Sequence, residues 1–213
     1  WKRWIQAYLA CVSFVDAQIG SVLDALGKSP HADNTIVVVT SDHGYHMGEK
    51  DRIWKRAMWE ESTRVPLFIH VPGLSADGSD CTKPVSLIDI YPTFADLCGL
   101  PGNPNAGKSF ALGGHSLRGL IADPETGAWR GHDVALSAIA GPVDPGHNQP
   151  GEIKHQHFSV RSEQYRYIRA LDREEELYDH EQDPNEWHNL ADDPDYRSKK
   201  RRLRKAMEAL LGF

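Results

Sequence analysis

Along residues 3–27, Ile5, Tyr8, Leu9, Val12, Val15, Ile19, Val22, Leu23 and Leu26 recur at intervals of one, three and four. That spacing lays them along one face of an α-helix. Gly27 and Pro30 supply its stop. Residues 35–40 are a short β-branched run without alternation, as in a parallel-sheet strand buried on both faces. A second such run, Pro66 to Val71, ends at Pro72-Gly73. Asp89 is placed to cap a helix reaching about Cys98, with Pro92 in its first turn and Gly99 and Pro101 behind it. Buried strands interleaved with helices predict an α/β layered fold.

The pattern changes after residue 131. Residues 158–161 and 165–169 alternate apolar with polar, as half-exposed antiparallel strands do, with Ser162-Glu163-Gln164 as the turn. Glu176-Leu177-Tyr178 reads as a further short strand. Asp183-Pro184-Asn185-Glu186 fits a capping box opening a brief helical turn. Asp193-Pro194 opens a last helix striped by Tyr196, Leu203, Met207, Leu210 and Leu211. The division predicted is 1–131 for an α/β unit and 132–213 for a small α+β subdomain. A loop-rich stretch, Gly141 to Gly151, carries Pro142, Pro145 and Pro150.

Charge narrows the function classes. The 213 residues hold 24 Lys plus Arg and 30 Asp plus Glu, a net charge of −6, which argues against a dedicated nucleic-acid binder. The basic run Lys199, Lys200, Arg201, Arg202, Arg204 and Lys205 reads as a solvated helix face, with Asp172 to Glu176 able to lie opposite. No apolar run approaches the roughly 20 residues that span a bilayer, so no membrane span is expected. Cys11, Cys81 and Cys98 show no CxxC spacing, so neither a zinc knuckle nor a disulfide framework follows.

Chemistry concentrates in Ser41 to Glu49, directly after the first apolar run. Ligands of open α/β sheets gather beyond the carboxyl ends of strands. Asp42 offers an oxygen ligand and His43 an imidazole, and Gly44 permits the turn that would let both reach one ion. Lys55, in the following loop, suits a tetrahedral oxyanion. A capped turn with a solvent-facing histidine and a surface lysine is the plainer reading of the same residues. Trp54 and Trp59 read as core. His31, His70, His132, His147, His180 and His188 read as scattered polar positions.

Taken in order, several stretches resemble the second half of a type I sulfatase catalytic domain, in the alkaline phosphatase superfamily. They are Tyr8 to Val12, Thr40-Ser41-Asp42-His43-Gly44, Gly48-Glu49, Trp54-Lys55, Arg64-Val65-Pro66-Leu67, Leu87 to Thr93 and Gly114-His115-Ser116-Leu117. Tyr165 to Ile168, Glu176 to Asp179 and Asp183 to Leu190 resemble the C-terminal subdomain of iduronate-2-sulfatase-like and related bacterial sulfatases. The fold implied is the C-terminal half of an alkaline-phosphatase-like sandwich, mostly parallel, plus an antiparallel α+β subdomain. The activity implied is hydrolysis of a sulfate monoester, on a saccharide or other small organic sulfate. Asp42 and His43 then match two metal ligands, Lys55 the sulfate contact, and His46 a residue at the pocket rim. The resemblance implies calcium, whereas imidazole suits manganese or zinc, and both stay open. His155 and His157 are expected to line the substrate entrance, and periplasmic or secreted residence is the family expectation.

The family's nucleophile is a formylglycine made within Cys/Ser-x-Pro-x-Arg, and this sequence contains no such motif. Its paired metal-binding aspartates are absent too; Asp192-Asp193 reads as a cap. The expectation is therefore a C-terminal portion of a longer sulfatase, completed by a missing N-terminal half and inactive alone. The alternatives are a metal-dependent phosphoesterase or phosphonate hydrolase of the same superfamily, and a non-catalytic fragment or binding module.

Overall fold

A computed structural model describes residues 1–75, 78–101, 103, 107, 113–140 and 156–212. The apolar periodicity at the start forms α1, Lys2–Gly27, and none of its residues is buried against the rest of the chain. An 18-residue window within α1 has a mean hydropathy of 1.5, so by length and composition alone this helix is long enough to cross a bilayer. That corrects the expectation of no such segment. The apolar positions are interrupted by Ser13, Asp16, Gln18 and Ser21, so the segment is apolar on average without being an unbroken apolar run.

The two β-branched runs become β1, Val37–Thr40, and, after two short strands described below, β4, Leu67–His70. They pair with each other antiparallel, from Val37 opposite His70 to Thr40 opposite Leu67. All strand pairs among the described residues are antiparallel, against the parallel order expected. Nor is this pair buried on both faces: Phe68 is 66% exposed and Leu67 and Ile69 are half-buried. An unalternating apolar run reports a demand for burial but carries no information on strand direction.

Between β1 and β4 lie β2, His46–Met47, β3, Ile53–Trp54, and α2, Glu60–Thr63. The β2–β3 hairpin pairs His46 with Trp54 and Met47 with Ile53. Trp54 is 60% exposed rather than core. Next come α3, Ile90–Leu97, and α4, Arg118–Ala122. Asp89 does not cap α3 with its side chain. Its carboxylate accepts the Ser86 N–H at 2.7 Å in a capping box one turn earlier, and the His115 N–H at 2.8 Å.

The C-terminal segment is a four-stranded antiparallel meander with a helix on one face. Its strands are β5, Ala135–Ala140, β6, Gln156–Arg161, β7, Tyr165–Arg169, and β8, Glu175–Asp179; the helix is α5, Arg197–Leu211. Period-two alternation sorts the side chains. Phe158, Val160, Tyr165, Tyr167 and Leu177 face α5 and form the main core with Ala191, Leu203 and Met207. Full burial of such side chains stabilises by about 1.5–3 kcal/mol each. Ile168 and Tyr178 point the other way and pack with Met58 from the segment before α2. The Asp193 side chain accepts the Asp195 N–H and Gly212 closes α5 in the left-handed conformation (φ 79°). Lys200 and Arg204 of the basic run are ion-paired with Glu175, as their placement opposite the acidic run anticipated.

The stretch Asp183 to Glu186 forms turns, not a helix start. Glu186 has φ 58° and is fully buried, so its carboxylate is spent on an ion pair rather than on a cap.

Candidate active site

The chain leaves β1 at Thr40 and turns through Ser41 to Gly44. Ser41 Oγ donates to the His43 carbonyl at 2.9 Å. The Gly44 N–H donates to the Ser62 carbonyl of α2 at 2.9 Å. A Cβ on Gly44 would collide with the Glu61 carbonyl, so only glycine lets the turn sit this close to α2.

His43 Nδ1 lies 2.8 Å from the Gly44 carbonyl. Two acceptors cannot bond, so Nδ1 carries the proton and Nε2 presents its lone pair. Lys55 Nζ is 2.7 Å from that Nε2, and Asp42 Oδ2 is 3.5 Å from it. The fold thus gathers Asp42, His43 and Lys55, three residues singled out in the sequence, at one point beyond the end of β1. Asp42 is exposed and His43 half-buried, and the Nε2 lone pair accepts from the Lys55 ammonium, so a cation on Nε2 takes the place of that hydrogen bond.

The spacing of the two donors suits one ion. Ligands held at about 2.1–2.4 Å by a shared octahedral cation lie about 3–3.5 Å apart. A carboxylate oxygen with an imidazole nitrogen is a mixed donor pair, compatible with calcium, manganese or zinc. Asp42 and His43 supply two ligands, so an ion there needs others besides them.

Lys55 follows β3 and is flanked by Trp54 (φ 112°) and Arg56 (φ 69°). Non-glycine residues held in such conformations cost of order 1–3 kcal/mol each. The strain sits on either side of Lys55.

His46 is not at a rim. It is fully buried, edge-on to Trp59 at 6.0 Å, with Nδ1 3.9 Å from Glu61 Oε2 and neither ring nitrogen hydrogen-bonded among the described residues. Added chain could only bury it further. His157 lies on β6 opposite Ile139, and its Nδ1 accepts the Leu171 N–H at 3.2 Å. His155 lies outside the described residues.

Sequence reading missed the groups that support this turn. Arg166 on β7 is 2% exposed; its guanidinium pairs with Glu60, lies 2.6 Å from Glu186 Oε1 and donates to the Met58 carbonyl at 3.1 Å and Ser159 Oγ at 2.8 Å. Arg161 Nε donates to the same Glu60 carboxylate at 3.2 Å. His180 Nε2 sits 2.9 Å from Glu186 Oε1, so this histidine is engaged rather than incidental. Burial pushes the Glu60 carboxyl up, but Arg166 and Arg161 outweigh it and hold the group below the usual carboxylate value. Glu60, His180 and Glu186 lie close enough to share a metal ion, yet Arg166 already supplies the positive charge between the two carboxylates. The available signal was alternation: Arg166 and Ile168 share the face of β7 opposite Tyr165 and Tyr167.

Lys50, in the left-handed conformation (φ 54°), lies over the rings of Tyr178 and Trp59 at 4.3 and 5.0 Å and donates to the Tyr178 hydroxyl at 3.0 Å. Burial lowers its pKa. Trp59 Nε1 in turn donates to Glu176 at 2.7 Å. The hairpin that presents Lys55 is thereby tied to the C-terminal sheet.

The chain is similar to known proteins over most of its length. The sulfatase family model matches residues 2–100, which include α1 and the whole Asp42–His43–Lys55 constellation. A sulfatase of Formosa agariphila is 40% identical over 199 residues, covering 93% of this chain and 34% of that protein. A solved structure holding its substrate D-glucosamine-2-N,6-O-disulfate superposes with a TM-score of 0.75 at 30% identity, over 95% of this chain and 39% of the other. The phosphonate monoester hydrolase of Agrobacterium radiobacter superposes with a TM-score of 0.75 at 26% identity, over 94% and 40%. The chain spans about a third of the length of the curated relatives it matches. By motif order, by the alkaline-phosphatase-like fold it shares with these structures and by these matches, the chain belongs to the sulfatase family.

Proposed function

We propose that the protein to which this chain belongs hydrolyses sulfate monoesters, with a sulfated saccharide as the substrate class. The observation that carries this is the convergence of Asp42, the His43 Nε2 lone pair and Lys55 on one point. The neighbour that holds a disulfated glucosamine as its substrate supports the saccharide class.

In this reading Asp42 and His43 hold a divalent cation, which when bound polarises the sulfuryl oxygens. Calcium is the family expectation, and the imidazole keeps manganese and zinc in play. The Nδ1–H bond to the Gly44 carbonyl fixes the ring so that Nε2 faces the site. Lys55 binds the anionic ester and neutralises charge that shifts as the ester bond breaks. The formylglycine nucleophile and the remaining ligands come from sequence outside this chain, so the 213 residues alone turn nothing over. Residues 1–131 serve as the C-terminal half of the catalytic unit and 132–213 as the subdomain that braces it. Action outside the cytoplasm follows from the family expectation.

A phosphonate or phosphate ester is the second reading, favoured by the phosphonate monoester hydrolase neighbour. The test uses the longer protein. Chelation should abolish sulfate release from an aryl sulfate, calcium, manganese or zinc should restore it, and Asp42→Asn should prevent the restoration. Sulfate release untouched by chelator and by Asp42→Asn would remove the ligand assignment.

A further inference from the structure

We propose that Glu186 and Arg166 are positioning residues for the Asp42–His43–Lys55 site, acting from the C-terminal segment through α2. The proposal rests on the reading of that site as the catalytic one.

The connection runs through named bonds. Glu186 is fully buried, and its Oε2 accepts the backbone N–H of Glu60, the first residue of α2, at 3.0 Å. Its Oε1 faces Arg166 at 2.6 Å and His180 at 2.9 Å. Arg166 pairs with the Glu60 side chain and donates to the carbonyl of Met58. The backbone on both sides of Trp59 is thus held by two side chains more than 100 positions away in sequence. Two residues along α2, the Ser62 carbonyl receives the Gly44 N–H, and the Glu61 carbonyl fills the space where a Gly44 side chain would be. Gly44 is also the acceptor that sets the His43 ring. Moving α2 therefore moves Gly44, and moving Gly44 redirects His43 Nε2 relative to Lys55.

A network that only held the two segments together would need ion pairs but not this route. Its loss would lower stability without preferential damage at Gly44. Glutamine at 186 can keep one of the two acceptor roles, not both. Aspartate keeps the charge for Arg166 but shortens the reach to the Glu60 N–H.

The experiment compares Glu186→Gln and Glu186→Asp with Leu203→Ala in the longer protein. Leu203 lies on α5 and packs into the main core, a cluster that includes no residue of α2 or of the site, so it is the control for lost stability alone. Two readouts are taken below the melting temperature of every variant: amide exchange at Gly44 with the His43 ring nitrogen shifts, and kcat with KM on an aryl sulfate. Glu186→Gln should speed Gly44 exchange at least 10-fold beyond the change in global protection and shift His43 Nε2. It should also cut kcat about 10-fold or more with KM within 2-fold. Glu186→Asp should act in the same direction, and it serves if the glutamine variant does not fold. Leu203→Ala should lower Tm and leave both local readouts in place. Wild-type Gly44 exchange and His43 shifts in both Glu186 variants would overturn the proposal, as would equal local changes in Leu203→Ala. If the protein releases no sulfate at all, the activity reading fails while the exchange and ring shifts still decide the positioning claim.

Discussion

At Gly44 the absence of a side chain is a packing requirement with a chemical consequence. Gly44→Ala must push the turn off α2, because the Glu61 carbonyl has no flexible end to yield. Overpacking of this kind costs about 1–3 kcal/mol. The expected result is a modestly lowered Tm with kcat reduced far more than stability, measured by calorimetry and aryl sulfate turnover in the longer protein. Lys55→Ala leaves the fold alone and should lower kcat/KM by about 100- to 1000-fold, the usual cost of losing one preorganised charge at a reacting centre. A fall of under 3-fold would mean that the lysine is a surface residue near His43 and no more.

At the scale of elements, the ion pairs that join α2 to β7 make stability depend on acid. Burial raises and the two arginines more strongly lower the Glu60 carboxyl, for a net value below its ordinary 4.5. A carboxylate depressed in the folded state contributes stability above its unfolded pKa and loses it as pH falls through the folded value. Tm should therefore drop once pH falls below about 4.5, and Glu60→Gln should be less stable at neutrality with a flatter acid limb. Identical acid limbs would show that this pair does not govern the transition. Elements with a local signature were legible in sequence: α1 and α5 by their apolar stripes, and β6 and β7 by alternation, although both faces of these two strands are buried rather than half-exposed because Ser159, Arg166 and Ile168 are covered too. The turn at Ser162 to Gln164 falls where the strands require it, with the Ser162 N–H donating to the Tyr165 carbonyl at 2.8 Å. What was not legible depended on partners distant in sequence. The direction of β1 against β4 is set by pairing, and β5 was not anticipated because Ala135 to Ala140 carries little apolar bulk. Glu186 resembles a cap in sequence because the arginine that claims it lies on β7, distant along the chain. Asp42, His43 and Lys55 were found by motif order, while the demotion of His46 from rim to interior needed the packing of Trp59 and Glu61 around it.

At the scale of the whole molecule, the apolar surface is unevenly covered. The C-terminal meander and α5 enclose a complete core, whereas Trp4, Leu9, Phe14 and Val22 of α1 and Phe68 of β4 are at least half exposed. Surface of that extent seeks a partner. The 213-residue chain on its own should bind a dye such as ANS and self-associate in sizing experiments, and the longer protein should do neither. A monomeric, dye-free 213-residue chain would contradict this. The central claim concerns chemistry, and one comparison addresses it directly: kcat/KM of the longer protein on an aryl sulfate and on the matching aryl phosphate, with the divalent cation supplied. The account predicts preference for the sulfate of at least 10-fold, lost with Asp42→Asn. Preference for the phosphate would contradict it and move the protein to the phosphoesterase reading.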